Sequence, residues 1–314
     1  MRRFTHPSLV LFLLAISTTL AFSACVPKPT PEPAVPSKEN SPQPTRRVES
    51  VETMPSSPES APVPSAIPTP EPSPTRVTWW QPKPGLTWQW ELTDSAVDTS
   101  ITADVYDIDL YADQAIIDKL HAKGAKVICY ISVGSWEDWR PDKDLFPPEV
   151  LGKNYEGWPG EKWLDIRQID QLAPIMRARF DLCKAKGFDA IEPDNMEVVG
   201  NQTGFPLTAA AQLKYALWLA EEAHARGLAI GQKNAPDQTQ ELVGIYDFAI
   251  TEDCFAYGWC GDMKPYLEAG KAVFAAEYTD MEINFASACK MAKELGLSMI
   301  LKERDLNAWR ETCK

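Results

Sequence analysis

The chain has 314 residues, with 44 Asp and Glu against 31 Lys and Arg, for a net charge of −13. That balance argues against a nucleic-acid partner and fits a neutral or cationic ligand. The 27 prolines are spread unevenly, and the unevenness divides the chain.

Residues 1–25 read as a secretory signal. Arg2 and Arg3 supply the positive start, Leu9 to Leu20 the short apolar core, and Ala21-Phe22-Ser23-Ala24-Cys25 the small-residue end. The run is too short to span a bilayer comfortably. The ending resembles a bacterial lipobox with Cys25 as the lipidated residue, although Phe22 stands where Leu is usual. A lipid there would tether the protein to a membrane without spanning it; ordinary cleavage would leave it secreted. Residues 26–76 hold 15 of the 27 prolines and almost no large apolar side chain. They cannot offset their ordering entropy by burial and read as a disordered, extended spacer.

Residues 77–314 are long enough for one large core. Strand patterns recur along them: Thr87 to Leu92, Val105 to Leu110, Lys126 to Gly134, Glu161 to Arg167, Phe188 to Asn195, Ala229 to Asn234, Phe248 to Glu252, Ala272 to Tyr278 and Ser298 to Glu303. Helical spacing separates several of them. One helix runs from Ala112 to Lys123, stopped at Gly124. A second carries Leu172, Ile175, Met176, Phe180 and Cys183 and ends at Gly187. A third runs from an N-cap at Thr208 to Arg226, before Gly227. Ser135 to Arg140 reads as a polar, aromatic loop, and Pro141, Pro147 and Pro148 forbid long regular structure after it.

Alternating strands and helices predict a parallel sheet and an α/β fold, a (β/α)8 TIM barrel. Nine strand candidates exceed the eight required, and Trp163–Arg167 is the surplus. A doubly wound sheet is the rival, but no Gly-x-Gly-x-x-Gly fingerprint follows a strand.

Six cysteines remain beyond Cys25 and allow 15 pairings. Cys254 and Cys260 flank a short loop as a staple; Cys289 with Cys313 and Cys129 with Cys183 would complete the set. Zinc is disfavoured because no Cys-x-x-Cys pair exists, and His121 and His224 fall on expected helices. No metal or cofactor is expected.

The strand ends form a ring of acids: Glu91, Asp109, Asp165, Glu192, Asp194, Glu252 and Glu277, with Lys233 and Lys302 among them. Barrel active sites occupy such ends. Glycoside hydrolysis needs two carboxyl groups, one to protonate the leaving oxygen and one to attack or to activate water. Trp88 and Trp90 share one strand face and suit sugar stacking; Gln89 and Glu91 face the other way. Asp107 and Asp109 share a face on the next strand.

The folded region resembles glycoside hydrolase family 114, the endo-α-1,4-polygalactosaminidases, across residues 79–303. The resemblance rests on Trp88-Gln89-Trp90, Asp107-Ile108-Asp109, Cys129 to Gly134, Trp163 to Arg167, Glu192-Pro193-Asp194-Asn195, Lys233-Asn234 and Glu252-Asp253-Cys254-Phe255. It implies a barrel that cleaves α-linked galactosamine-containing polysaccharide, with Asp194 and Glu252 as the catalytic pair. By analogy with similar retaining α-galactosidase barrels, Asp194 is the nucleophile and Glu252 the general acid/base. Substrate contacts are expected from Trp88, Gln89, Trp90, Asp107, Asp109, Tyr130, Ser132, Trp136, Glu192, Asn195, Lys233, Asn234, Glu277 and Tyr278. Two alternatives stand beside this reading: a non-catalytic polysaccharide-binding lipoprotein, and a hydrolase of another α-linked exopolysaccharide. A polysaccharide deacetylase would need His and Asp metal ligands, which the expected helical histidines do not offer. The protein is expected to act outside the cell as a monomer.

Overall fold

The computed structural model describes residues 78–93 and 97–313. The expected signal with Cys25 and the spacer of residues 26–76 lie outside them.

The strands in chain order are β1 (Trp88–Glu91), β2 (Val105–Asp109), β3 (Lys126–Ser132), β4 (Ser135–Glu137), β5 (Leu151–Asn154), β6 (Glu161–Leu164), β7 (Ala190–Asp194), β8 (Ala229–Lys233), β9 (Phe248–Glu252), β10 (Val273–Tyr278), β11 (Ser298–Lys302) and β12 (Arg310–Thr312). The main sheet has the order β1-β2-β3-β7-β8-β9-β10-β11-β12. All neighbours in it are parallel except β11 and β12. Sequential parallel order is that of a barrel, and it excludes the doubly wound rival. The ring closes between β1 and the C-terminal segment. Leu92 N–H donates to the Leu306 carbonyl at 3.0 Å, and Trp88 Nε1–H to that of Ser298 at 2.9 Å.

The surplus strand is β6. It joins an antiparallel side sheet of order β4-β6-β5, set between β3 and β7 in sequence. β4 falls where a loop was expected and β5 follows the proline-bearing stretch. Both are only three or four residues long, too short to show a period. Asp165 and Arg167, expected in the surplus strand, instead follow β6 and form an ion pair at 2.7 Å. β12 was not anticipated.

The helices are α1 (Gln114–Ala122), α2 (Ile169–Lys186), α3 (Ala209–Ala225), α4 (Thr239–Leu242), α5 (Lys264–Glu268) and α6 (Phe285–Leu295). Thr208 caps α3 by accepting from Ala211 N–H at 3.2 Å. Gly187 ends α2 in the left-handed region, where glycine carries no Cβ penalty. One apolar cluster lies between sheet and helices. A second fills the barrel, with Trp88, Phe248, Phe274 and Ile300 among its members. Gly231 is part of that packing: a Cβ there would lie 2.4 Å from the Phe248 ring.

Three disulfides are present, Cys129–Cys183, Cys254–Cys260 and Cys289–Cys313, which are the pairings set out above. No helix among the described residues is long and apolar enough to cross a membrane.

Candidate active site

Period-two alternation sends every second strand residue into the barrel. At the C-terminal ends those residues are Trp90, Asp109, Tyr130, Asp194, Lys233, Glu252 and Tyr278, and all of them line one cavity of about 1310 Å³.

Lys233 is the hub. Its Nζ lies 2.8 Å from Glu192 Oε1, 2.8 Å from Asp194 Oδ1 and 3.1 Å from Glu252 Oε2. The ammonium also sits 4.7 Å from the centre of the Trp90 ring, a favourable cation–π geometry. Burial disfavours its charge, but Asp194, Glu192 and Glu252 outweigh burial and hold the Lys233 pKa well above the ordinary lysine value.

The two carboxylates at the mouth are each held twice. Asp194 Oδ2 accepts from Tyr130 Oη at 2.8 Å, and Glu252 Oε1 accepts from Tyr278 Oη. Because both share Lys233, Asp194 Oδ1 and Glu252 Oε2 are separated by no more than the sum of 2.8 Å and 3.1 Å, about 5.9 Å. Side-chain exposure is 16% for Asp194 and 26% for Glu252.

Beneath them lies a buried acid pair. Asp107 and Glu192 are fully buried, and neither oxygen of Asp107 nor Oε2 of Glu192 has a hydrogen-bond partner among the described residues. A charge on either one disfavours a charge on the other. Burial, then the Glu192 charge, raises the Asp107 pKa well above its usual value. Burial also raises Glu192, to about 7, against the pull of Lys233.

The loops after the strands are set by unusual backbone. Asn195, Asn234, Ala235 and Asp253 all have positive φ, between 46° and 60°. Such residues store strain and cluster at functional sites. Asn195 Nδ2 donates to Ser132 Oγ at 3.0 Å and Ser135 Oγ at 3.1 Å. Gly134 permits the approach, since a Cβ there would stand 1.7 Å from the Asn195 carbonyl oxygen.

Of the expected site residues, Trp90, Asp109, Tyr130, Asp194, Asn195, Lys233, Asn234, Glu252 and Tyr278 line the cavity. Seven do not. Trp88 is packed inside the barrel against Phe274 and Trp90. Gln89 points the other way and donates to the Ala308 carbonyl at 2.9 Å. Asp107 and Glu192 form the buried floor, and Ser132 is a buried support for Asn195. Glu277 faces outward and accepts Phe255 N–H at 2.7 Å and Ala256 N–H at 3.1 Å. Trp136 borders a separate hollow and donates to the Lys143 carbonyl at 3.0 Å.

Sequence reasoning missed Glu197 and Arg304, which line the same cavity. Burial raises the Glu197 pKa to about 7. Arg304 stacks 3.7 Å from the Tyr278 ring centre and pairs with Asp253 at 2.9 Å. Both sit in loops, where no periodicity marks a residue as facing a cavity.

A family model described as "Glycoside-hydrolase family GH114" matches residues 69–314. The chain belongs to family GH114. This glycoside hydrolase is 39% identical to the solved structure of Aspergillus fumigatus Ega3 in complex with galactosamine, with a TM-score of 0.71, covering 74% of this chain and 97% of that one. The glycoside hydrolase domain of PelA from Pseudomonas aeruginosa shares the fold, at 13% identity and a TM-score of 0.57 over 73% of this chain and 99% of that one. An uncharacterized Deinococcus radiodurans protein is 24% identical over 270 residues, covering 78% of this chain and 86% of that protein.

Proposed function

We propose that this GH114 enzyme is an endo-acting, retaining hydrolase of α-1,4-linked galactosamine and N-acetylgalactosamine polysaccharide, with Asp194 as nucleophile and Glu252 as general acid/base. The observation that carries this reading is the Lys233 bridge, which limits two carboxylate oxygens at the cavity mouth to about 5.9 Å. Two carboxyl groups at one cavity mouth are what glycoside hydrolysis requires, and the retaining assignment, which asks for about 5–5.5 Å between carboxyl groups, rests on the resemblance to retaining α-galactosidase barrels. The galactosamine bound to Ega3 supports the choice of sugar.

In the first step an Asp194 carboxylate oxygen bonds to the anomeric carbon. The glycosidic C–O bond breaks, and Glu252 gives its proton to the leaving oxygen. In the second step Glu252 takes a proton from water as that water attacks the anomeric carbon. That attack displaces Asp194: its bond to the anomeric carbon breaks as the bond to water forms, and the carboxylate is restored. Tyr130 and Lys233 each hold one Asp194 oxygen and so fix the orientation of the carboxylate at the cavity. Glu252, the more exposed of the two, is better placed to exchange its proton with solvent between the steps. The surplus of acids around the cavity favours a cationic amino sugar.

Residues 1–25 supply export and residues 26–76 a spacer for the catalytic domain of residues 77–314. Cys25 anchors the protein by lipid to the cell envelope, and the catalytic domain acts as a monomer. Mass spectrometry of the mature N-terminus tests the anchor; a terminus other than acylated Cys25 removes it.

The deciding experiment is product analysis on an α-1,4-galactosamine polymer with wild type, Asp194→Asn and Glu252→Gln. Each variant is expected to lose at least 10³-fold in kcat, and wild type to release α-anomers of mixed length. Undiminished cleavage by either variant removes that residue from the mechanism. Initial release of β-anomers removes retention, and binding without cleavage favours a non-catalytic polysaccharide-binding protein.

A further inference from the structure

The catalytic cavity is not the whole concave surface. A second hollow of about 450 Å³ lies over the side sheet, and Tyr155, Trp158 and Glu161 line both spaces. The two therefore adjoin at these side chains. At about 1310 Å³ the main cavity already exceeds the roughly 300–1,000 Å³ that suits a compact drug-sized ligand. Two adjoining hollows suit an extended one.

Trp158 stands at the junction and keeps 48% of its surface in solvent. The turn that carries it is tied down. Trp158 N–H donates to the Tyr155 carbonyl at 3.2 Å, and Glu161 N–H donates to the Trp158 carbonyl at 3.1 Å. Its neighbour Tyr155 is braced against Trp163, with ring centres 4.0 Å apart. An indole held in place with its surface wet is unspent apolar area. A pyranose C–H face can cover such a ring while its hydroxyls stay hydrated. Polar groups are at hand in the second hollow. Asp138 and Asn154 line it, both are exposed, and no side-chain hydrogen bond or ion pair engages either among the described residues.

We propose that this hollow is a second sugar site, which seats a hexosamine unit of the same polymer beyond those held in the catalytic cavity. Trp158 is its stacking platform, and Asp138 and Asn154 meet the sugar's hydroxyl or amino groups. The inference rests on the function proposed above and deepens it. A chain gripped on both sides of Trp158 is bound along its length, which favours cuts within polymers over trimming of ends.

The test compares Trp158→Ala and Trp158→Phe with wild type on α-1,4-galactosamine polymer and on a trisaccharide of the same linkage. Trp158→Ala is expected to raise KM for polymer about 10-fold, the size one stacking contact supports. The rise in KM on the trisaccharide should be much smaller than on polymer. Trp158→Phe should restore most of the polymer affinity. An unchanged polymer KM in Trp158→Ala overturns the site, and so does an equal rise on both substrates. If wild type cleaves no galactosamine polymer, the proposed function fails and this site falls with it. Wild-type cleavage with an indifferent Trp158→Ala removes the site alone.

Discussion

Glu197 holds Asn234. The Asn234 Nδ2–H donates to Glu197 Oε1 at 2.9 Å, while Asn234 Oδ1 accepts the Glu252 backbone N–H at 2.8 Å. The other oxygen of Glu197 accepts Ala235 N–H at 2.8 Å. A loop carboxylate after β7 thus fixes the turn after β8, and through it the end of β9. Both Asn234 and Ala235 have positive φ, so their geometry depends on such clamps.

Glu197→Gln should therefore act on catalysis through Glu252. A glutamine offers one acceptor oxygen where two are used. We expect kcat to fall about 10-fold with KM within a factor of two, and the fold to lose about 1–3 kcal/mol for the unmet donor. Steady-state kinetics on polymer and urea unfolding check this; an unchanged kcat would sever the proposed path from Glu197 to Glu252.

Lys233→Met removes the only cation in contact with Glu192, Asp194 and Glu252 among the described residues. A buried carboxylate left without its partner costs about 3–5 kcal/mol. The variant should lose that much stability and more than 10²-fold in kcat. Lys233→Arg should recover part of the stability, and equilibrium denaturation measures both.

The pH dependence of stability follows from carboxyls whose pKa is raised. Burial lifts Glu161, Glu197 and Glu277 each to about 7. A carboxyl raised in the fold favours folding while protonated. Its contribution is full below the unfolded value near 4.3 and is lost as pH rises through about 7. The melting temperature should therefore fall between pH 5 and pH 8. Glu277→Gln should flatten that slope, and calorimetry across this range would expose a wrong sign.

The disulfides should differ in worth. By loop-closure entropy the 54-residue separation of Cys129–Cys183 is worth about 4 kcal/mol, and the 6-residue separation of Cys254–Cys260 about 2 kcal/mol. The short loop, however, carries Tyr257, which is exposed and lines the cavity. Cys254→Ser with Cys260→Ser should thus cost less stability than Cys129→Ala with Cys183→Ala, yet raise polymer KM more. Thermal melts and kinetics on the two double variants decide it.

Charge steering predicts salt sensitivity. The cavity pairs Asp194 and Glu252 with further acids such as Asp109 and Glu197. Hydrolysis of deacetylated polymer should weaken several-fold between about 0.05 and 0.5 M salt, while fully acetylated polymer should be indifferent. Equal salt response would remove the cationic preference.

Much of this architecture was legible in the chain. Strand and helix periods depend on neighbours a few residues apart, so the eight barrel strands, the Thr208 cap and the Gly187 stop could be read directly. The motifs that carry Asp194, Lys233 and Glu252 sit on those strands, and alternation alone puts Glu192 and Asp194 on one face. Other assignments depended on depth along a strand, which alternation does not report. Asp107 and Asp109 share a face, yet Asp107 lies in the floor and Asp109 at the mouth. Trp88 and Trp90 likewise share a face, yet only Trp90 reaches the cavity. Which loops fold back was equally unreadable, because Glu197, Arg304 and Trp158 owe their places to contacts with residues far away in the chain. The sequence by itself determined the barrel and the identity of the acidic strand ends, since both follow from local pattern. Only the tertiary structure decided that one lysine joins three of those acids and brings Asp194 and Glu252 within about 5.9 Å, because that distance is set by the closure of β7, β8 and β9 side by side in the ring.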